Sequence, residues 1–334
     1  MERVRLGMIG CGSMGRHHGR IFSQKVPEAE IVALADPDPN NLARFVADVF
    51  PGQQPPATFN DYRAMLAEVP LDGVVIVSPH AYHFAQAMDA ISAGCHVLVE
   101  KPMVIRTEDA LALMAHARAH NRVVSIAFPG PFTCEFQYIR DVIARGDLGE
   151  IYLIVGICSQ NMINQIRGTW RMNRELAGGG NLYDSGAHMF NAMLYLTGLA
   201  VTDVCAFIDN KGEDVDVTAT VAMRFTKGAL GSAAVSSAAT VFEQGLYIHG
   251  TRGSIKTSIY GGRLEHWDGT ELVKYPQVPP PIVLQQNFID CIKGRATTPC
   301  PPLLGLRQAR LMDAIYESAL TGKIVQVIAD PEAD

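Results

Sequence analysis

The segment 178–191 places two titratable side chains one helical turn apart. It reads GGGNLYDSGAHMFN, with Asp184 and His188 four residues apart, and this spacing puts both on one face of a helix. An unperturbed imidazole has a pKa of about 6.5, so a histidine here could exchange protons near neutral pH. The pair also fits an aspartate that caps the helix and a surface histidine beside it, and the segment alone leaves both interpretations open. The three glycines are expected to let the chain pass close to a bound ligand.

A glycine-rich turn near the N-terminus has the spacing of a phosphate-binding loop. The hexad GCGSMG at 10–15 directly follows an apolar run at 4–9. In a strand–turn–helix unit, the first glycine permits a tight turn, the second lets a pyrophosphate approach, and the third lets the helix pack closely. Asp36 ends the second apolar run, about 20 residues later, where a carboxylate would bind ribose hydroxyls. The pattern predicts a dinucleotide site that comprises Gly10, Gly12, Ser13, Met14, Gly15 and Asp36.

The residues around Asp36 favour NAD over NADP. A carboxylate at this position repels a 2′-phosphate, and the following Pro37-Asp38-Pro39 offers no arginine to bind one. NAD is therefore the expected cofactor, with NADP the less favoured one.

Two later strand ends carry polar residues at the same edge of the predicted sheet. Ligands bind at the carboxyl ends of parallel strands. In VLVEKPM, Glu100 and Lys101 follow the fifth strand, and the Lys101 ammonium could stabilise a developing alkoxide. In VSPHAYHF, Ser78, Pro79 and His83 are expected to line the dinucleotide cleft. The alternative for His83 is that it packs locally where a helix begins.

Hydrophobic periodicity predicts an α/β protein with two domains. Five apolar runs alternate with helical patterns over the first 125 residues, which is typical of a doubly wound parallel sheet, the Rossmann arrangement. These runs are 4–9, 31–35, 74–77, 96–99 and 123–127. We assign 1–125 to a dinucleotide-binding domain and 126–334 to a second, α+β domain.

The second half predicts a large, mostly antiparallel open sheet. Residues 215–225 alternate apolar and polar side chains, and a TKG turn leads into a strand at 229–237. Shorter strands are predicted at 246–249, 254–257 and 263–267, and helices at 283–293 and 304–320. Both faces of the sheet are apolar, so we expect helices on one face and a partner chain on the other.

Composition argues against several classes of protein. The 334 residues carry a net charge of −6 with no long basic run, which disfavours nucleic acid as a partner. No apolar run approaches a membrane span, and the strand that begins at residue 4 leaves no room for a secretory signal, so the cytoplasm is expected. Seven scattered cysteines predict reduced thiols. His80 and His83 lack further ligands at a zinc-like spacing, so no metal is expected.

Three motifs in this order make the chain resemble the glucose–fructose oxidoreductase/inositol dehydrogenase/rhizopine-catabolism (Gfo/Idh/MocA) family. They are GCGSMG, EKP after the fifth strand, and GGGNLYDSGAH in the second half, and the resemblance covers nearly the whole chain. It implies a Rossmann domain followed by an open-sheet domain that binds a sugar-like substrate and forms the interface of a homodimer or homotetramer. It also implies that the helix at about 304–320 packs back on the first domain.

The resemblance implies catalytic roles for three residues. Lys101 matches the family lysine that contacts the reacting hydroxyl, while Asp184 and His188 match the acid and the histidine around the same carbon. His188 would be the general base, because a lysine with a pKa of about 10.4 would need a large depression before it could accept a proton. Lys101 would then stabilise the alkoxide.

The resemblance also addresses substrate binding. Trp170 and Arg171 resemble the family's substrate-side pair, in which the tryptophan could stack on a sugar face and the arginine could bind a polar group. Their alternative is a loop docked by a buried tryptophan. Many members carry an acidic residue three positions after the histidine, but this chain has Asn191 there, so a substrate preference that needs that carboxylate does not carry over.

These features predict an NAD-dependent dehydrogenase that acts on a secondary alcohol of a sugar, a cyclitol or a sugar derivative. Two alternatives stay open. One is a glycosidase that uses bound NAD for transient oxidation and elimination, as some family members do. The other is an NAD-responsive regulatory protein without catalytic activity, although the joint presence of Lys101, Asp184 and His188 argues against it.

Overall fold

The structure is a computed structural model that describes residues 3–274 and 277–328. The first elements along the chain are β1 (Val4–Ile9), α1 (Ser13–Lys25), β2 (Ala29–Ala35), α2 (Pro39–Val49), β3 (Ala57–Phe59), α3 (Tyr62–Glu68), β4 (Gly73–Ile76), α4 (His83–Ser92), β5 (His96–Val99), α5 (Thr107–Ala119) and β6 (Val124–Ile126). They are followed by α6 (Cys134–Ala144), β7 (Ile151–Asn161), α7 (Ile163–Ile166), α8 (Arg174–Ala177), α9 (Ser185–Thr197), β8 (Val201–Asp209), β9 (Thr218–Phe225), β10 (Leu230–Ser236), β11 (Ala238–Gly250), β12 (Ser254–Thr257), β13 (Leu264–Trp267), α10 (Leu284–Ile292), α11 (Pro302–Thr321) and β14 (Val325–Gln326).

The first sheet is parallel throughout, with strand order β3-β2-β1-β4-β5-β6. This order confirms the predicted doubly wound sheet. The sequence predicts five of these strands within two residues of their ends, but it misses β3, which is only three residues long and has no buried residue. The break in strand order lies between β1 and β4, so the carboxyl ends of these strands meet at the glycine-rich turn.

The chain divides into two compact units. One contains the described residues up to Ala127 together with Ile282–Leu303, and the other contains the rest of the described chain. The predicted division at 125/126 puts α10 in the second domain, whereas α10 belongs to the first unit. The reason is that Phe288 and Ile289 of α10 complete the core around Phe22 and Phe45. Periodicity identifies an amphipathic helix but not the core that it joins. Residues from Leu304 belong to the second unit, and the packing of this helix on the first domain stays a prediction.

The second unit is built on an eight-stranded sheet with the order β13-β12-β11-β7-β10-β9-β8-β14. Among the described strands of this second sheet, only β7 and β10 pair in parallel. This confirms the predicted, mostly antiparallel sheet. Buried and unburied residues alternate along β9, as the sequence predicts. β11 is much longer than expected, at 13 residues, because its first half is exposed and lacks an apolar pattern.

Helix α9 is buried on nearly every side. Eleven of its 13 residues are buried, and only His188 and Tyr195 are not. Its close packing depends on Gly156 of β7, where an added Cβ would come within 2.6 Å of the Met189 sulfur. The helix that carries the Asp184–His188 motif is therefore fixed by the core and opens toward solvent along one narrow stripe.

Candidate active site

The glycine turn after β1 combines two crowded positions with one open position. Gly10 has a φ of +95°, and a Cβ there would lie 2.7 Å from the Val77 backbone. A Cβ on Gly15 would overlap the Gly10 carbonyl oxygen. At Gly12, by contrast, no heavy atom lies within 4 Å of an added Cβ. The fold itself thus requires glycine at the first and third positions, while the second faces open space at the start of α1.

Asp36 fastens the end of β2 to this turn. Its carboxylate is buried, and it accepts the backbone N–H of Cys11 at 2.7 Å and that of Asp38 at 2.9 Å. The Asn41 side-chain amide also donates to it, at 3.2 and 3.3 Å. Burial and the nearby Asp36 charge raise the pKa of the Cys11 thiol to about 12. The predicted residues Ser13 and Met14 are exposed on the first turn of α1.

His83 joins the loops that follow β4 and β5. Its Nδ1 lies 2.8 Å from the Pro102 carbonyl oxygen and its Nε2 lies 2.9 Å from that of Ser78. The side chain is fully buried, and burial lowers the pKa of its imidazole. Because both ring nitrogens face backbone carbonyls, the geometry favours local packing over direct cofactor contact. The neighbouring Ser78 hydroxyl donates to Gln86 at 2.6 Å, and Pro79 precedes a short helical turn.

The EKP turn holds a carboxylate with very low proton affinity. Glu100 lies 2.9 Å from His18 through Oε1, and its Oε2 accepts the backbone N–H of Lys101 at 3.1 Å. Burial raises the pKa of Glu100, but the side-chain hydrogen bond from His18, followed by the charge of Lys101, outweighs it and lowers the pKa to about 2. Glu100 is therefore ionised at any working pH, and its predicted place in the cofactor cleft stays a prediction.

In the second unit, three predicted site residues come together. Asp184 is the N-cap residue of α9, but its side chain makes no capping hydrogen bond. Its carboxylate instead accepts the Nε–H of Arg171 at 3.1 Å. The Arg171 guanidinium lies 4.5 Å from the centre of the Trp170 ring. Capping, the alternative interpretation for Asp184, is therefore absent, and neither Trp170 nor Arg171 is buried.

His188 lies between two aromatic rings. The Phe128 ring meets it at a right angle with centroids 5.6 Å apart, and the Tyr260 ring lies at 4.5 Å. Burial raises the pKa of Tyr260 to about 12, so its phenol stays protonated. The contacts of Phe128 and Tyr260 with His188 cannot be predicted from the sequence. Each is a single aromatic residue far from His188 along the chain, and no local spacing or periodicity connects them. The half-buried imidazole is thus held by ring contacts on a helix that is otherwise enclosed.

Asp216 holds the glycine-rich loop that leads into α9, and no sequence pattern marks it. It is buried, and its carboxylate accepts the backbone N–H groups of Gly180 at 2.5 Å and Leu182 at 2.8 Å. The Tyr316 hydroxyl of α11 donates to the same carboxylate. A Cβ on Gly180 would overlap the Asp216 carbonyl oxygen. The close approach that requires glycine at this position is therefore to the protein's own backbone rather than to a ligand.

Asn191, the departure from the family pattern, is buried three residues after His188. Its Nδ2 has no hydrogen-bond partner among the described residues. The position three residues after His188 is therefore uncharged and enclosed.

Two kinds of structure are absent from the described residues. No helix there is both long and apolar enough to cross a membrane. No three or more His, Cys, Asp or Glu side chains in the same ranges are grouped to hold a metal ion.

Two family models match the chain. Residues 4–128 match the model described as oxidoreductase family, NAD-binding Rossmann fold, and residues 136–256 match the GFO/IDH/MocA C-terminal domain. The chain therefore combines a Rossmann domain of the NAD-binding oxidoreductase family with a GFO/IDH/MocA C-terminal domain. The chain belongs to the Gfo/Idh/MocA family, as its motifs indicate.

Named relatives and solved structures agree with this assignment. D-glucoside 3-dehydrogenase of Escherichia coli is 31% identical over 58% of this chain, and the chain spans about half of that relative's length, 54%. Levoglucosan dehydrogenase of Pseudarthrobacter phenanthrenivorans is 27% identical over 76% of this chain and 73% of that protein. The crystal structure of the WlbA dehydrogenase from Bordetella pertussis, in complex with NADH and UDP-GlcNAcA, superposes with a TM-score of 0.87. It is 23% identical over 98% of this chain and 99% of that chain, and this likeness shows the fold.

The first unit fits the nucleotide that this kind of domain binds. The open space at Gly12 leaves room for a phosphate group beside the start of α1. Gly12 is the N-cap of α1 and supplies no side chain to cover the helix N-terminus. Asp36 places a carboxylate next to the same turn.

Substitutions at Gly12 and Gly15 separate ligand binding from folding. Alanine at 12 meets no protein atom and keeps an ordinary φ of −66°, so we expect unchanged thermal stability but NAD binding weaker by about tenfold or more, because the methyl group occupies the phosphate space. Alanine at 15 overlaps Gly10, so we expect a loss of about 1–3 kcal/mol in unfolding free energy. Calorimetric titration with NAD and thermal melts check both. Wild-type NAD affinity in Gly12→Ala would contradict the assignment.

Asp216→Asn tests the anchor of the loop before α9. An amide oxygen can replace only part of the carboxylate, so one buried donor is left facing an NH₂ group. We expect the free energy of unfolding to fall by about 2–4 kcal/mol in urea denaturation. Asp214→Asn is the matched control, because exposed Asp214 also accepts a backbone N–H, from Arg174 at 2.7 Å, and should cost under about 1 kcal/mol. Equal losses in the two variants would refute the anchoring role.

Proposed function

We propose that the protein is an NAD-dependent dehydrogenase for a secondary alcohol of a sugar, a cyclitol or a sugar derivative. The observation that carries this proposal is that His188 is one of two residues of the otherwise buried helix α9 that are not buried. It lies one turn after Asp184, which is bonded to Arg171. Relatives named D-glucoside 3-dehydrogenase and levoglucosan dehydrogenase support a sugar-like substrate.

Each proposed catalytic residue has a separate role in alcohol oxidation. An imidazole nitrogen of His188 takes the hydroxyl proton, while the Lys101 ammonium stabilises the negative charge that develops on the same oxygen. When bound, NAD supplies the acceptor for the hydride that leaves the alcohol carbon. Asp184, oriented by Arg171, accepts a substrate hydroxyl or steadies the protonated imidazole, and Trp170 stacks against the sugar face.

The proposed cofactor is NAD rather than NADP. The supporting observation is that Asp36 is fixed by the Cys11 and Asp38 amides beside the glycine turn, so its negative charge cannot easily move away from a 2′-phosphate. Binding would involve the open position at Gly12 and the first turn of α1.

We also propose a homo-oligomer formed through the exposed face of the second sheet. Strand register puts Phe207, Leu230, Val155 and Tyr247 on one face. Phe207 and Leu230 are 73% and 52% exposed, which supports a partner chain as the cover. The choice between dimer and tetramer and the location in the cytoplasm stay predictions.

A substrate panel with matched variants tests the proposed function. Methyl glucosides, levoglucosan and inositols are incubated with NAD⁺, and we expect NADH to appear with at least one of them. Lys101→Ala and His188→Ala should each lower turnover by about 10²–10⁴-fold because each removes a group that handles the reacting hydroxyl. NAD binding should be nearly unchanged in both variants.

Lys25→Ala and His120→Ala are the controls, because both residues are exposed, and both should keep wild-type rates. A near-normal rate in Lys101→Ala or His188→Ala would remove that residue from the mechanism. Sugar release from aryl glycosides without NADH would favour the glycosidase instead. NAD binding with neither activity would favour the regulatory protein.

Asp36→Asn tests the choice of cofactor. The substitution removes the charge and leaves one oxygen that can accept the Cys11 amide, while the Asp38 amide is left facing an NH₂ group. Thermal melts therefore accompany the titrations, to separate lost stability from altered cofactor preference. We expect the ratio of NADP to NAD affinity to rise by about tenfold or more, because the repulsion of the 2′-phosphate is lost. Affinities from titration of both nucleotides give the answer, and an unchanged ratio would show that Asp36 does not set the preference.

A further inference from the structure

The turn that carries Lys101 is joined to a buried chain of hydrogen bonds. Gln285 of α10 places Nε2 3.0 Å from Nδ1 of His18 on α1. The Nε2 of His18 lies 2.9 Å from Oε1 of Glu100, and Oε2 of Glu100 accepts the Lys101 backbone N–H at 3.1 Å. Three elements far apart in sequence therefore act together on one peptide group beside the EKP turn.

The order of donors in this chain is fixed by chemistry. The Gln285 amide nitrogen donates to Nδ1, so Nε2 of His18 carries the hydrogen that is donated to Glu100. Gln285 and His18 are only 4% and 3% exposed, and water therefore cannot replace either partner. The Glu100 side chain is only 11% exposed, so without its donor the carboxylate would have to take up a proton or move further toward solvent. Either change would release the Lys101 peptide.

We propose that His18, held by Gln285, is a positioning residue that keeps the Glu100 carboxylate against the Lys101 peptide and so fixes the Lys101 ammonium for reaction. This inference rests on the proposed function, which assigns Lys101 to the substrate hydroxyl. The inference goes beyond the proposed function because it assigns the support of Lys101 to two residues outside the motifs, His18 and Gln285. Gln285 lies on α10, in the C-terminal part of the chain.

The charged surroundings of Glu100 define what His18 contributes. The titratable groups that interact electrostatically with Glu100 are His17 and His18 on α1, His83 on α4, and Lys101. The side-chain hydrogen bond from His18 is the largest effect that lowers the pKa of Glu100, which stays at about 2 although burial raises it. Loss of His18 should therefore move the pKa of Glu100 upward.

Carboxyl ¹³C NMR of the glutamate-labelled protein tests the chain of hydrogen bonds directly. In the wild type, the Glu100 signal should not titrate between about pH 4 and about pH 8. In His18→Ala the Glu100 signal should titrate within that range, because burial then raises the pKa of Glu100 without the opposing hydrogen bond from His18. His18→Gln places an amide N–H near the former Nε2, so the signal should again stay constant.

Kinetics of the same variants test the consequence for Lys101. In His18→Ala we expect kcat to fall about tenfold or more, with the KM for NAD within about twofold, and the acid limb of the pH profile to move to higher pH. The direction follows because protonation of Glu100 releases the Lys101 peptide. His18→Gln should restore most of kcat. His17→Ala is the matched control, since His17 is the exposed neighbour on the same helix, and it should keep both kcat and the pH profile.

The outcomes separate this inference from the proposed function. A non-titrating Glu100 in folded His18→Ala, or a wild-type pH profile in that variant, would overturn it. If no substrate gives NADH even with the wild type, the proposed function fails, while the carboxyl titration still decides on His18. Should His18→Ala not fold, Gln285→Leu removes the outer partner alone. It should give a smaller rise in the pKa of Glu100, and an unchanged pKa there would also overturn the proposal.

Discussion

Buried or nearly buried carboxylates that accept backbone N–H groups hold the loops that carry the proposed site residues in both units. Asp36 accepts the Cys11 amide of the glycine turn, and Asp216 accepts the Gly180 amide of the loop before α9. Glu100 does the same for the residue that follows it, Lys101. A glycine-rich loop has few side chains to pack, so its amides are the groups available for fixing it. Charge-assisted bonds from a buried carboxylate are the strong form of such contacts, although the burial makes each carboxylate dependent on its donors.

This arrangement leaves the remaining polar groups available for ligands. The loop before α9 is held by Asp216, so Asp184 is not needed to cap the helix and bonds to Arg171 instead. Helix α9 is buried except at His188 and Tyr195. In the first unit the crowded glycines shape the turn, while Gly12 stays open. The proposed function thus uses the few positions in each unit that packing does not occupy.

The local patterns could be predicted from the sequence, and the long-range partners could not. The glycine turn, Asp36 and the strand positions follow from spacing and periodicity, which depend on neighbouring residues alone. Asp216 gives no such signal, because its partners lie 36 residues earlier and 100 residues later in the chain. The same is true of Gln285 with His18, and of α10, which the sequence assigns to the second domain. For His83 the sequence predicts a place in the dinucleotide cleft, with local packing as the alternative, and burial of its ring favours packing.

The central claim is that a carbon-bound hydrogen of a sugar or cyclitol leaves as hydride to a nicotinamide. It is tested most directly with perdeuterated glucose, glucosides and myo-inositol in the presence of NAD⁺, followed by mass spectrometry of the nucleotide. The account predicts that the reduced nucleotide from at least one substrate carries one deuterium, and that His188→Ala abolishes this transfer. Bound nucleotide that gains no deuterium from any substrate in the panel would contradict it.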